Sequence, residues 1–232
     1  MDFRELHRTD RPLLLPNAWD VASGAALAEA GFAAVGTTSL GVAAAAGEDD
    51  ASGATRDETV RLARRLAGLP VPVTVDIEAG FSERPDEVAA LVAELASFGI
   101  AGVNIEDGRP GGVLASVDRQ TAVLSAVKAA APGVFLNART DTYWLAKDGE
   151  PPLTETLERV RAYAEAGANG VFVPGIAADA DIRAVVAAVP LPLNVLHLPG
   201  RTDPGRLAEL GVRRISCGSL LYRAALHAAV AA

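Results

Sequence analysis

The feature that most constrains this 232-residue chain is an end-to-end alternation of short apolar runs with helix-patterned stretches. The runs are Leu13 to Leu15, Ala33 to Val35, Val71 to Ile77, Gly102 to Ile105, Val134 to Leu136, Gly170 to Val173, Leu193 to Leu196 and Val212 to Ser216. The helical stretches run from about Asp20 to Ala30, Arg56 to Gly68, Pro85 to Phe98, Val117 to Ala131, Thr154 to Ala166, Ala180 to Ala188, Pro204 to Leu210, and from Ser219 to the C-terminus. Continuous apolar runs bounded by Gly and Pro are what strands buried on both faces look like. Their alternation with helices implies βαβ units and a parallel sheet. Eight such units predict a (β/α)8 TIM barrel, one catalytic domain over residues 1–232. An open doubly wound sheet is the competitor, but it usually carries a G-x-G-x-x-G fingerprint, and none is present. Punctuation agrees at several ends: Asp20 and Thr55 are candidate N-caps, Pro85 suits a first helical position, and Gly31, Gly99 and Gly167 are stops.

Composition excludes several classes. The net charge of −8 argues against a nucleic-acid footprint, which needs clustered positive charge. Half of the residues are apolar, so a packed core is expected, yet no run is long enough to span a membrane. The charged start, MDFRELHRTDRP, has no apolar segment of a secretory signal, so a cytoplasmic protein is expected. The single Cys, Cys217, rules out a disulfide framework and thiolate-rich zinc cages. Only two Lys occur, Lys128 in a helical stretch and Lys147 in a loop, so neither suits a strand-end Schiff base.

A barrel of this kind builds its site from the C-terminal ends of its strands. There the sequence places Asn17; Thr37, Thr38 and Ser39; Asp76 and Glu78; Glu106 and Asp107; Asn137, Arg139 and Asp141; Asn194 and His197; and Ser216, Cys217 and Ser219. The segments entering the strands carry almost no charge, which points to a polar site at one mouth. Asp76 and Glu78 are two apart and would share a strand face, with Glu106 on the next strand. Converging carboxylates repel unless a cation sits among them, and an oxygen-only set suits Mg²⁺ or Mn²⁺. The competing reading is an ion network neutralised by Arg139. A guanidinium at Arg139 could also clamp a substrate carboxylate through paired hydrogen bonds. Thr37 to Gly41 read as a turn whose hydroxyls and N–H groups could cradle a carboxylate. Asp50 reads as a loop charge, His197 as a solvated or acid–base group, Cys217 as a buried thiol, and His7 and His227 as surface residues.

Five segments occur in order: Leu15 to Asp20, Gly36 to Leu40, Val75 to Gly80, Val103 to Asp107 and Asn137 to Asp141. Together they resemble the isocitrate lyase/phosphoenolpyruvate mutase superfamily over about residues 13 to 223. The resemblance implies a Mg²⁺-dependent α/β barrel that makes or breaks C–C or P–C bonds in small 2-oxo or 2-hydroxy acids through an enolate-like species. It implies Asp76 as the principal metal ligand, Glu78 as a holder of metal-bound water, and Glu106 as a further carboxylate of the metal shell. It places Asp50 at the same site. It makes Arg139 the residue that binds substrate and stabilises negative charge, and Thr38, Ser39 and Leu40 the binders of the substrate carboxylate, with Asn137 beside them. A homo-oligomer follows by the same analogy.

One segment departs from the pattern. The superfamily's C–C lyases carry Lys-Lys-Cys-Gly-His on a mobile loop after the fourth strand. Here that loop reads Asp107-Gly108-Arg109-Pro110-Gly111-Gly112-Val113-Leu114, with no Cys, Lys or His. The expected function is a Mg²⁺-dependent lyase or decarboxylase of a small 2-oxo or 2-hydroxy acid. The alternatives are a carboxylate-binding barrel that has lost lyase activity, and P–C bond chemistry of the phosphonopyruvate hydrolase or mutase kind.

Overall fold

The computed structural model describes residues 2–50, 53–146 and 152–231. Its strands are β1 Leu13–Leu15, β2 Asn17–Ala18, β3 Val35–Thr37, β4 Val73–Asp76, β5 Gly102–Glu106, β6 Gly108–Arg109, β7 Val113–Leu114, β8 Phe135–Arg139, β9 Gly170–Phe172, β10 Leu193–Leu196 and β11 Arg214–Ser216. The helices are α1 Val21–Glu29, α2 Ser39–Ala46, α3 Arg56–Leu66, α4 Pro85–Ser97, α5 Val117–Ala130, α6 Leu153–Glu165, α7 Asp179–Ala188, α8 Pro204–Glu209 and α9 Leu220–Ala231. The main sheet is parallel and ordered β1-β11-β10-β9-β8-β5-β4-β3-β2. Its two ends belong to one stretch of chain. β1 pairs with β11 and β2 with β3, and only Pro16 separates them. Proline has no N–H to give the ladder, but the Pro16 carbonyl still accepts from Gly36 N at 2.8 Å. The sheet therefore closes into a (β/α)8 barrel. β6 and β7 form a small antiparallel hairpin outside it.

Side chains of the strands' outer faces meet the helices in two apolar clusters. One joins β3, β4, β5 and β8 to α3, α4 and α5 through Leu66, Val75, Leu91, Leu95, Val103 and Leu124. The other joins β9, β10 and β11 to α6, α7 and α8 through Val160, Val171, Ile182, Val195, Leu207 and Ile215. A third, smaller cluster closes the lower end, where Phe3 and Leu6 from the N-terminal segment pack on Leu13, Leu15 and Phe135.

The expected elements are present, with shifted ends and with β2, α2 and the β6–β7 hairpin added. The second strand starts at Val35 rather than Ala33, and the eighth at Arg214 rather than Val212. The stretch expected as a long loop after the second strand contains α2. Its residues, SLGVAAAA, are small or apolar all round, so no polar–apolar periodicity marks it as a helix. Asp20 caps α1, accepting from Ser23 N, while Ser23 Oγ accepts from Asp20 N. Thr55 does not cap α3 with its side chain; the hydroxyl is turned to Glu78 instead. His7, expected at the surface, is buried at 4% exposure, because the N-terminal segment tucks its ring against Phe135 at a centroid distance of 4.3 Å.

Leu95, fully buried on α4 where that helix packs on α5, tests the larger cluster. Leu95→Ala is expected to lower the unfolding free energy by about 2–5 kcal/mol through lost transfer energy and a residual cavity. Urea denaturation with an unchanged m-value checks this.

Candidate active site

The upper mouth collects the strand-end residues around a cavity of about 110 Å³. Its wall includes Asn17, Thr38, Ser39, Leu40, Asp50, Asp76, Asn104 and Arg139. The chain directs each of them there by ordinary local rules. Asp76 ends β4 and Arg139 ends β8, while Glu106 ends β5 in register opposite Arg139. Asn17 follows Pro16 on β2. Its amide donates to Thr37 O at 2.7 Å and its carbonyl accepts from Cys217 N at 3.1 Å, so it ties β3 to the end of β11. Thr37 Oγ1 accepts from Asp76 N at 2.9 Å, which fixes the end of β4.

Arg139 is the centre of charge. Its Nη1 lies 2.8 Å from Glu106 Oε2, its Nε donates to Asp141 Oδ1 at 2.6 Å, and its guanidinium lies over the Phe172 ring at 5.6 Å. Burial opposes its charge, but Glu106, Asp141 and Asp76 more than offset this and hold it firmly protonated. A second buried guanidinium, Arg214 on β11, also feels Asp76, but burial pulls it down to about 9, and the two cations do not balance the acids. Burial pushes Glu106 up to about 8 against the pull of Arg139, with Asp141, Asp76 and Glu78 adding to the rise. Burial likewise raises Asp76, Glu78 and Asp141. Carboxylates this crowded and this poorly neutralised fit a site built for a further positive charge.

The three carboxylates expected to share a cation are placed unequally. Asp76 faces the cavity with Arg139, whereas Glu78 and Glu106 line an adjoining cavity of about 320 Å³. Glu78 does not share a strand face with Asp76, because β4 ends at Asp76. Glu78 sits in the following turn with φ of 51°, a left-handed conformation that costs energy for a non-glycine residue. Its backbone N donates to Asp76 Oδ1 at 3.2 Å. Its carboxylate accepts from Thr55 Oγ1 at 3.0 Å and from Gly53 N at 3.2 Å. Among the described residues no group of three His, Cys, Asp or Glu is set as a direct cage. Asp76 thus faces one cavity, and Glu78 and Glu106 face the other.

Thr38 to Leu40 are the start of α2 rather than a turn. Thr38 is the N-cap residue and makes no side-chain cap bond. The first N–H groups of a helix have no partner within it and favour an anion. Gly41 lets α2 pack this closely: a Cβ there would stand 2.7 Å from Trp19 Cβ and 2.9 Å from Thr38 Cγ2. Asp50 is exposed, yet lies in the cavity wall.

Other expected residues take supporting places. Asn137 does not line the cavity; its amide donates to Asn104 Oδ1 at 2.9 Å beneath it. Asp107 is fully buried as an anchor, accepting from Asp141 N, from Arg159 Nη1 at 3.1 Å and from Tyr163 OH at 2.6 Å. His197 bonds Thr202 Oγ1 and lies outside the cavity wall. Asn194 is buried inside the barrel. Cys217 is half-buried, and burial pushes its thiol up. Lys128 lies on α5, bonded to Asn169 and Pro132 O, and Lys147 lies outside the described residues. Asn104, Trp144, Phe172, Pro174 and Leu196 were not singled out from the sequence. Asn104 sits inside an apolar strand, and the others are apolar residues beyond or at strand ends, where only polar types were sought.

The departing loop is the β6–β7 hairpin, turned through Gly111 and Gly112 at φ of 85° and 71°. Arg109 folds back on it, donating to Glu106 O, Gly108 O and Gln120 Oε1. Its base is pinned to α6 through Asp107, Arg159 and Tyr163. Among residues 108–114 only Arg109 is ionisable, and a guanidinium does not give up its proton near neutral pH, so the hairpin offers no acid–base group.

Comparison with known proteins agrees with this arrangement. The sequence profile of the phosphoenolpyruvate phosphomutase family matches residues 3–232. The chain belongs to that family. It is 44% identical to an uncharacterized protein of Mycobacterium tuberculosis over 99% of this chain and 86% of that one. It is 32% identical to an oxaloacetate decarboxylase of Ectopseudomonas mendocina over 75% of this chain and 62% of that one. A crystal structure of a proposed phosphonomutase from Burkholderia cenocepacia J2315 superposes with a TM-score of 0.93 at 42% identity, covering 99% of this chain and 96% of that one.

Gly108 tests how the mouth is held. A Cβ at this position would collide with Asp141 Oδ2 and Cγ. Gly108→Ala is expected to displace Asp141 and loosen Arg139, lowering kcat on the family's substrates by at least about tenfold. Circular dichroism should show the fold unchanged.

Proposed function

We propose that this chain is a divalent-metal-dependent carbon–carbon lyase acting on a small 2-oxo diacid, with oxaloacetate decarboxylation as the reaction the site suits best. The observation that carries this is Arg139. It is a buried, permanently charged guanidinium fixed between Glu106 and Asp141 and facing the same small cavity as Asp76 and the start of α2. The unbalanced acid cluster fits a Mg²⁺ or Mn²⁺ ion, which Asp76 would hold directly, with Glu78, Glu106 and Asp50 reaching it through water. When bound, the cation supplies Lewis-acid polarisation of the substrate's 2-oxo group.

The chain's own residues then do the following. The N–H groups at the start of α2, with the Thr38 and Ser39 hydroxyls, take the carboxylate next to the 2-oxo carbon. Arg139 faces the oxygen on which negative charge grows as the bond between C3 and the departing carboxylate breaks. The electron pair of that bond moves into the enolate and CO₂ leaves. A proton from water then restores the 2-oxo acid. This sequence needs no protein base to start the cleavage, which matches a hairpin with no Cys, His or Lys. Cleavage of a 2-hydroxy acid would need one to remove the hydroxyl proton.

A second reading, P–C bond chemistry, draws on the likeness to the Burkholderia protein. A screen of oxaloacetate, methylisocitrate and phosphonopyruvate with Mg²⁺ separates the two through CO₂, aldehyde or keto-acid, and inorganic phosphate release. The expected outcome is Mg²⁺-dependent release of CO₂ from oxaloacetate, at background in Asp76→Ala and reduced on the order of 10²–10³-fold in Arg139→Lys. No turnover of any of the three with tight carboxylate binding would instead identify a binding barrel and reject the lyase reading.

Burial of Glu106 adds a pH signature. A carboxyl raised from 4.5 to about 8 binds more protons in the folded than in the unfolded chain. Its contribution to stability is therefore fully present below about pH 4.5 and is lost as pH rises through about 8. The metal-free protein is expected to lose thermal stability between pH 6 and 8.5. Mg²⁺, which binds the ionised cluster and expels protons, should restore more of it at pH 8.5 than at pH 6. Melting curves with and without Mg²⁺ at both pH values check this.

A further inference from the structure

The lower mouth of the barrel, at the end remote from Arg139, carries a second cavity, of about 530 Å³. Arg4, His7 and Arg8 from the N-terminal segment and Arg213 from the approach to β11 line it, with Phe135 and Leu191 among its apolar walls. Among the described residues no carboxylate faces it. The charge comes mostly from the N-terminal segment rather than from the segments that enter the strands, and it is a local inversion in a chain of net charge −8. The N-terminal segment, which folds beneath the barrel, brings three of the four basic side chains.

The charges here are not arranged as a stabilising network. Arg4 Nη2 donates only to the carbonyls of Pro132 and Gly133, at 2.9 and 3.2 Å. Arg8 pairs with Glu5 at 2.9 Å, but both side chains are exposed and the pair contributes little. The Arg213 side chain has no hydrogen bond or ion pair among the described residues; only its backbone is engaged, its N donating to Leu193 O and its carbonyl accepting from Leu13 N. His7 is buried, and its Nδ1 must donate to the Phe3 carbonyl at 2.9 Å. The neutral ring therefore holds a lone pair at Nε2, which is buried and has no partner. Like charges also press on one another. Burial and the charge of Arg214 lower His7 to about 4, and burial and the charge of Arg4 lower Lys128. Gathering positive charge without a counterion costs stability, and a bound anion offsets that cost.

We propose that this lower cavity binds a small organic polyanion, phosphorylated or polycarboxylic. Arg4 and Arg213 are its charged contacts, and the Phe135 and Leu191 wall takes its carbon skeleton. The site is separate from the one proposed for the lyase reaction and does not depend on it. Occupancy would join the N-terminal segment to the entry ends of β8 and β11 and so stiffen the barrel floor.

Isothermal titration of the metal-free protein at low ionic strength tests this, with pyrophosphate as the phosphate probe and citrate as the carboxylate probe. Saturable binding of either, one per chain, is expected, and which of them binds identifies the anion class. Arg213→Glu should weaken binding at least tenfold while leaving the melting temperature of the unliganded protein unchanged or raised, since that side chain has no partner to lose. Arg139→Lys should bind as wild type. Absence of saturable binding by both probes, wild-type affinity in Arg213→Glu, or loss of binding in Arg139→Lys would each overturn the proposal.

Discussion

Among the described residues, Arg139 is the one guanidinium in the wall of the upper cavity, and the acids around it outnumber it. β5 and β8 pair in a register that sets Glu106 opposite Arg139, so the Glu106–Arg139 contact is a consequence of strand alignment rather than of a flexible loop. Asp141, two residues on, holds the other edge of the guanidinium. Removing one partner of a buried ion pair leaves a charge without compensation, so the arrangement is rigid. The remaining groups of the mouth are organised around it: Asp76 raises its hold on the proton, Phe172 underlies it, and the buried Asp107 fixes the backbone of Asp141.

In the proposed decarboxylation, that rigidity would let a short hairpin stand where the superfamily's C–C lyases carry a longer loop. Asp107 receives Arg159 and Tyr163 from α6 while β5 carries Glu106 immediately before it. The same few residues therefore close the site and position its charge. A reaction that begins by losing CO₂ asks the protein for orientation and charge stabilisation and for little else. A barrel mouth with a fixed guanidinium, a helix start and an acid cluster would provide these from elements fixed by packing.

Much of this was legible in the sequence, and the reasons differ by residue. Strands buried on both faces announce themselves as apolar runs, so the barrel and the strand-end position of Asp76, Glu106 and Arg139 followed directly. Alternation failed at Glu78, because the strand stops at Asp76 and a left-handed turn takes over. α2 was invisible because a helix of small and apolar residues has no periodicity, and so Thr38 to Leu40 read as a turn. Thr55 looked like a cap, but a buried carboxylate competes for its hydroxyl more strongly than a helix end does. His7 and the basic lower mouth depend on where a terminal segment folds back, a tertiary choice with no local signal.

The central claim is that the acid cluster at the upper mouth holds a divalent cation through Asp76 in reach of a substrate carboxylate. The most direct measurement is a Mn²⁺ titration followed by electron paramagnetic resonance, with and without oxalate as an enolate mimic. The account predicts one bound Mn²⁺ per chain, a spectrum altered by oxalate, and loss of both in Asp76→Ala. Absence of bound Mn²⁺ in the wild type, or an unchanged spectrum in Asp76→Ala, would contradict it.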